Sequence, residues 1–173
     1  RVAGMCAAAL SIDTRKPAVA RAALDAGAHI VNDVSAGRDP DMFAVVREYG
    51  AGIVLMHMHA TPATMQTHPL DAEAALETLL EFFRRRVDAA VACGIAPACI
   101  VLDPGLGFGK TARANERIVR ELAALTTLGL PVMVGASRKW FVGARTGGEP
   151  GARLAGSLAA HVLAFSRGAR IIR

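Results

Sequence analysis

Short apolar runs alternate with stretches of helical period along the chain. The runs fall at 8–12, 29–31, 52–56, 99–102, 131–134 and 169–172. Each is continuous rather than alternating, the pattern of strands buried in a parallel sheet. The intervening stretches, 17–26, 40–49, 71–93, 115–128 and 152–166, carry apolar residues at helical spacing. Pro17 and Pro40 sit where a first helical turn tolerates proline. Gly27, Gly50, Gly94, Gly129 and Gly168 follow the predicted helices, where a terminating glycine belongs. Strand and helix in such regular succession predict an α/β fold with a parallel sheet. No linker or low-complexity segment divides residues 1–173, which read as one domain.

The residues at the strand ends carry the candidate chemistry. The first run ends in Asp13, the second in Asn32 and Asp33, the third in His57 and the fourth in Asp103. The fifth leads through Gly135 to Ser137, Arg138 and Lys139, and the sixth ends in Arg173. In a βα barrel such ends converge on one face, which carries the active site. A doubly wound sheet would spread them along a crevice. Six contributing strands favour the barrel. Structural roles compete for the same residues. Asp33 reads as a cap of the next helix, whereas Asp13 precedes Thr14, a better cap, and is freer for function. His57 and His59 lack a third ligand, so no metal is assigned to them. Met56 and Met58 read as core or pocket wall. Arg138 and Lys139 follow a buried strand closely enough that one should point into the mouth.

The stretch "DPGLGFGKT", residues 103–111, nearly spells a phosphate-binding loop. That motif requires a leading glycine at position 104. Pro104 stands there, with a fixed φ and no N–H to offer a phosphate. The ATP reading fails on that residue.

Composition narrows the function classes. Hydrophobic residues make up 53% of the chain, yet no run approaches the roughly 18 apolar residues of a membrane span. The net charge is +5, with bases spread along the chain, and Arg84, Arg85 and Arg86 read as a solvated helix face. Aromatic residues are 5%, too few for a nucleic-acid stacking platform. The start of the chain lacks the order of a signal peptide. Cys6, Cys93 and Cys99 form no paired motif, which points to reduced thiols and the cytoplasm, with Cys99 as a small core residue.

Together these segments make the chain resemble the dihydropteroate synthase family. The blocks run in order: "SIDTRKP", "GAHIVNDVS", "LMHMHATPATMQ", "LDPGLGFGKT" with Asn115 after it, "VGASRKWFVG", "RLAGSLA" and "GARIIR". The resemblance implies a TIM (β/α)8 barrel of which strands three to eight are represented. It implies condensation of 6-hydroxymethyl-7,8-dihydropterin diphosphate with 4-aminobenzoate, with release of diphosphate. That step belongs to folate synthesis and is the target of sulfonamides. A homodimer is implied as well.

By family position, Asp103 accepts two N–H groups from the guanidine-like edge of the pterin, which a carboxylate is shaped to do. Asn32 pairs along the same ring, Asp13 lies against the other ring, and Lys139 reaches the pterin carbonyl. Met56 and Gly135 match pocket-lining positions, Phe108 an apolar contact, and Ser137 a position beside the aminobenzoate. Arg173 matches an arginine that stacks near the pterin and helps hold the diphosphate. Asp13, Asp103 and Lys139 are the expected catalytic residues. The implied path is dissociative: carboxylates stabilise a developing cation, and cationic groups with Mg²⁺ stabilise the departing anion. The family's Mg²⁺ ligand has no counterpart here. The blocks of the first two strands and the last helix are also absent, so the sequence is expected to be a fragment or joined pieces of a longer chain. Two alternatives stay open: a pterin-binding methyltetrahydrofolate-dependent methyltransferase, and a non-catalytic synthase-like subunit.

Overall fold

The protein is described by a computed structural model covering residues 4–5, 7–60, 64–65, 67–146 and 149–173. Cys6 and residues 61–63 and 66 of the "LMHMHATPATMQ" block lie outside the described residues. The chain divides into two compact units, Arg1–Met56 with Phe83–Leu102, and His57–Phe82 with Asp103–Arg173.

The first unit opens with β1 (Ser11–Asp13), α1 (Pro17–Asp25), β2 (Ile30–Asp33), α2 (Pro40–Glu48) and β3 (Gly52–Met56). β1 pairs parallel with β2, and β2 with β3. The register sets Asp13 opposite Asn32, so the polar residues at two strand ends stand side by side. Apolar residues at helical spacing make the inner helix faces: α1 buries Ala20 and Leu24, and α2 buries Met42, Phe43, Val45 and Val46. Asp39 caps α2 by accepting the Asp41 N–H at 3.1 Å. The later part of α3 (Ala72–Ala92), a 3-10 turn at Pro97–Cys99 and most of β4 (Ile100–Asp103) complete the unit.

The second unit holds α4 (Ala112–Arg120), α5 (Ala123–Thr126), β5 (Val132–Val134), α6 (Trp140–Thr146), α7 (Leu154–Ser166) and β6 (Ala169–Ile172). β5 and β6 pair parallel, with the register slipping between Val132 and Met133. The six strands among the described residues follow chain order in the sheet, β1 to β6. This is the expected α/β fold with parallel pairing.

Several expectations need correction. The strands at the two ends of the order are not buried. β1 exposes Ser11 and Asp13, and β6 exposes everything after Ala169, because an end strand has a neighbour on one side only. The helix predicted at 115–128 is two helices, interrupted at Glu121 and Leu122. α6 is new: it is short and contains Gly143, so it shows little period in sequence. Asp33 does not cap a helix. Its buried carboxylate accepts Ser35 N at 2.8 Å, Ser35 Oγ at 2.6 Å and Gly37 N at 2.6 Å, which folds the 33–37 loop around it. Arg86 leaves the solvated face: its guanidinium donates to the carbonyls of Ala36 and Gly37, both at 2.7 Å, and lies over the Phe43 ring. Cys99 is partly exposed in the 3-10 turn, not core. The five helix-ending glycines all have positive φ, as expected.

Candidate active site

In the first unit, parallel pairing brings Asp13 and Asn32 together at the ends of β1 and β2. Asn32 Nδ2 donates to Asp13 Oδ1. Asn32 is buried, and its Oδ1 has no hydrogen-bond partner among the described residues. A buried amide oxygen left unpaired costs on the order of 1–3 kcal/mol. It is an acceptor suited to an N–H that a ligand would bring. Met56 is buried at the end of β3.

The second unit is built around Asp103 and the loop that follows it. Asp103 is 6% exposed and accepts the Gly105 N–H at 2.7 Å. Burial pushes its pKa above the usual carboxylate range. The Gly105 N–H and the charges of Lys139, Lys110 and Arg173 pull it back.

Lys110 is fully buried. Its Nζ donates to the carbonyls of His57 at 3.2 Å, Gly105 at 2.9 Å and Phe108 at 3.1 Å. An ammonium has three protons to give, and these three carbonyls use them all. Burial lowers the Lys110 pKa to about 7, with Asp103 opposing the shift. Thr111 caps α4 by accepting the Ala114 N–H at 3.1 Å. The two residues that would hold phosphate and metal in an ATP loop are therefore committed to backbone groups of the protein itself. Asn115, also fully buried, completes the loop: its Oδ1 accepts Gly107 N at 2.7 Å, and its Nδ2 donates to Thr111 O at 2.8 Å.

Lys139 is half-buried. Its Nζ donates to Leu106 O and lies 4.8 Å from the centre of the Phe108 ring. Burial lowers its pKa, Asp103 raises it, and Arg173 lowers it further. Of the two basic residues after β5, Lys139 is thus the one turned inward, and Arg138 is exposed. Gly135 leads out of β5, Ser137 is exposed, and Arg173 N donates to Val134 O at 3.0 Å. His57 packs edge-on against Phe82, with centroids 4.8 Å apart.

A family model described as "Pterin binding enzyme" matches residues 1–173. The chain belongs to this family of pterin-binding enzymes. It is 42% identical over 166 residues to the dihydropteroate synthase of Synechocystis sp., covering 95% of this chain and 57% of that protein. It superposes on the Xanthomonas albilineans dihydropteroate synthase in complex with 7,8-dihydropteroate with a TM-score of 0.90 and 40% identity, covering 98% of this chain and 62% of that one. The Yersinia pestis dihydropteroate synthase in a sulfonamide drug complex gives a TM-score of 0.95 and 37% identity, covering 99% and 62%. The chain spans 57–58% of the length of the first curated relatives it matches.

Among the expected residues, the chain brings Asp13 and Asn32 together in one unit, and Asp103, Phe108 and Lys139 together in the other. Sequence reading missed the residues that hold these in place. Lys110 and Asn115 tie the loop after β4. Arg153, Ser157 and His161 tie the loop after β5: Ser157 Oγ accepts Arg138 N at 2.9 Å, His161 Nε2 accepts Ala136 N at 2.8 Å, and Arg153 Nη1 donates to Arg138 O at 3.2 Å. The signal was available. Three polar residues spaced by four in an otherwise apolar helical stretch mark a face that meets backbone, not core.

Proposed function

We propose that the complete protein is a dihydropteroate synthase, joining 6-hydroxymethyl-7,8-dihydropterin diphosphate to 4-aminobenzoate with release of diphosphate. The observation that carries this reading is Asp103. It is a buried carboxylate at a strand end, held by one backbone N–H and subject to three cationic side chains. A buried carboxylate needs hydrogen-bond donors, and the pterin edge brings two in the right spacing. The similarity to a dihydropteroate synthase in complex with 7,8-dihydropteroate supports the same ligand chemistry.

In this reading Asp103 and Asn32 bind the pterin. Asp13 stabilises the cation that develops as the exocyclic CH₂–O bond breaks, and Asn32 orients Asp13 by donating to it. Lys139, with its proton-bearing Nζ near the Phe108 ring, meets the pterin carbonyl, and Phe108 packs on the substrate. Ser137 lies beside the aminobenzoate, Met56 and Gly135 line the pocket, and Arg173 holds the leaving diphosphate. Diphosphate departs with the C–O electron pair, and the aminobenzoate nitrogen adds to the CH₂ carbon and loses a proton. Magnesium with the diphosphate is part of the family chemistry. No group of three or more His, Cys, Asp or Glu side chains able to hold a metal stands among the described residues. The reading includes a cytoplasmic homodimer and binding of sulfonamides, the last supported by the Yersinia pestis complex.

The test is diphosphate release by the full-length protein with and without 4-aminobenzoate. Release that requires 4-aminobenzoate is expected. No release, with pterin still bound, would leave a pterin-binding subunit without this activity.

A further inference from the structure

We infer that His161 is a positioning residue for the proposed reaction: as the neutral imidazole it holds the 135–139 loop, and protonation releases that loop. The inference rests on the synthase reading for its kinetic consequence, but its structural part stands alone.

His161 lies on α7 and accepts the Ala136 N–H on Nε2 at 2.8 Å. Ala136 is fully buried and lies between Gly135 and Ser137. Two residues later the chain turns through Arg138, whose φ of 52° is rare for a residue with a side chain. Lys139 follows, turned toward Leu106 O and the Phe108 ring. A backbone in that conformation persists only where its surroundings hold it. Three side chains of α7 and the turn before it do so, and they share one helix face: Arg153 on Arg138 O, Ser157 on Arg138 N and His161 on Ala136 N.

Of the three, His161 is the one whose charge changes near neutral pH. A neutral imidazole accepts on its bare nitrogen, and the cation has no acceptor left. Proton uptake at Nε2 would set an N–H against the Ala136 N–H, and that contact must open. Among the charged groups on the elements packed around α7 are Glu116 on α4, Arg138 and Lys139 ahead of α6, Arg153 before α7 and Arg170 on β6. Lys139 is the one whose charge bears on the imidazole. Burial first, and that charge second, lower the His161 pKa below its usual value of 6.5, so the hold persists through neutral pH and fails on the acid side.

Two measurements on the full-length protein decide the matter. In ¹⁵N NMR, the His161 imidazole and the Ala136 amide should titrate together, with a midpoint below 6.5. In kinetics, His161→Leu should lower kcat/KM at pH 8 by about 10- to 100-fold, the scale of a small misplacement of a catalytic loop. His161→Gln offers a carbonyl acceptor that does not titrate. It should recover most of that loss and remove the acid limb carrying the His161 midpoint. An Ala136 amide indifferent to His161 protonation would overturn the inference, as would an unchanged acid limb in His161→Gln. If His161→Leu does not fold, the glutamine variant and the NMR titration still decide. If the wild type releases no diphosphate, the synthase reading fails while the NMR titration still tests the hold.

Discussion

A buried ionisable side chain is explained by what it touches, and the two lysines of the second unit touch different things. Lys139 meets one carbonyl and an aromatic face, whereas Lys110 is surrounded by three carbonyls. Lys139→Ala is therefore expected to cut turnover by about 100-fold or more, the cost of removing a group that stabilises reacting charge, with little change in the urea midpoint. Lys110→Met should do the reverse: a loss of stability of about 2–5 kcal/mol from stranded buried carbonyls, with a smaller loss of turnover per folded molecule. Equal kinetic losses would restore a direct substrate role to Lys110. The folded-state pKa of Lys110 is depressed from 10.5 to about 7, so the folded state holds fewer protons than the unfolded chain between those values. Its contribution to stability is then full above pH 10.5 and falls away as the pH drops through about 7. Urea unfolding of wild type against Lys110→Met should show the difference growing from pH 7 to pH 10. A constant difference would contradict that assignment. For Asp103, replacement by Asn keeps the shape and removes the charge. Affinity for a pterin analogue should fall by about 1.5–3 kcal/mol in calorimetry, and unchanged affinity would remove Asp103 from the site.

At the level of the element, the loop between β4 and α4 is held by its own side chains and admits no extra atom at Gly109. A Cβ there would stand 2.6 Å from His59 O, on a backbone with φ +65°. Gly129 has a similar φ, +74°, with open space around it. Gly109→Ala should therefore cost about 1–3 kcal/mol more than Gly129→Ala in thermal unfolding, the difference being the clash rather than the shared backbone strain. Equal costs would mean the His59 segment moves aside freely. The same reasoning explains why α7 and the turn before it are polar where they are: Arg153, Ser157 and His161 satisfy backbone groups of the loop beside them.

Across the whole chain, apolar surface remains uncovered. Leu154, Leu158, Val162 and Phe165 form a stripe along α7, with exposures of 65%, 55%, 69% and 62%. Contiguous apolar surface of this kind drives association. A polypeptide of these 173 residues produced alone is expected to self-associate in sedimentation and to release no diphosphate. Charged substitutions at Leu158 and Val162 should raise the soluble fraction without restoring turnover. A soluble, monomeric and active 173-residue chain would refute this expectation.

Sequence by itself determined the strand order and the longer helices, because burial in a parallel sheet leaves continuous apolar runs and helix packing leaves a 3.6-residue period; the short α6 and the break between α4 and α5 left no such mark. It also marked Asp13, Asn32 and Asp103, since polar residues that close such runs stand at strand ends, and Lys139 by its family position. The register that seats Asp13 against Asn32 appeared only in the folded chain, because pairing is a relation between segments distant in sequence. The same holds for Arg86, which read as part of a solvated face until carbonyls from another segment met it, and for Lys110, whose burial against His57 O no local pattern announces. Asp33 looked like a helix cap and became the centre of a loop, since which N–H groups a carboxylate meets depends on the turn the backbone takes. Tertiary structure decided which charges are buried, and burial is what separates a lysine that supports a loop from one placed to act on substrate.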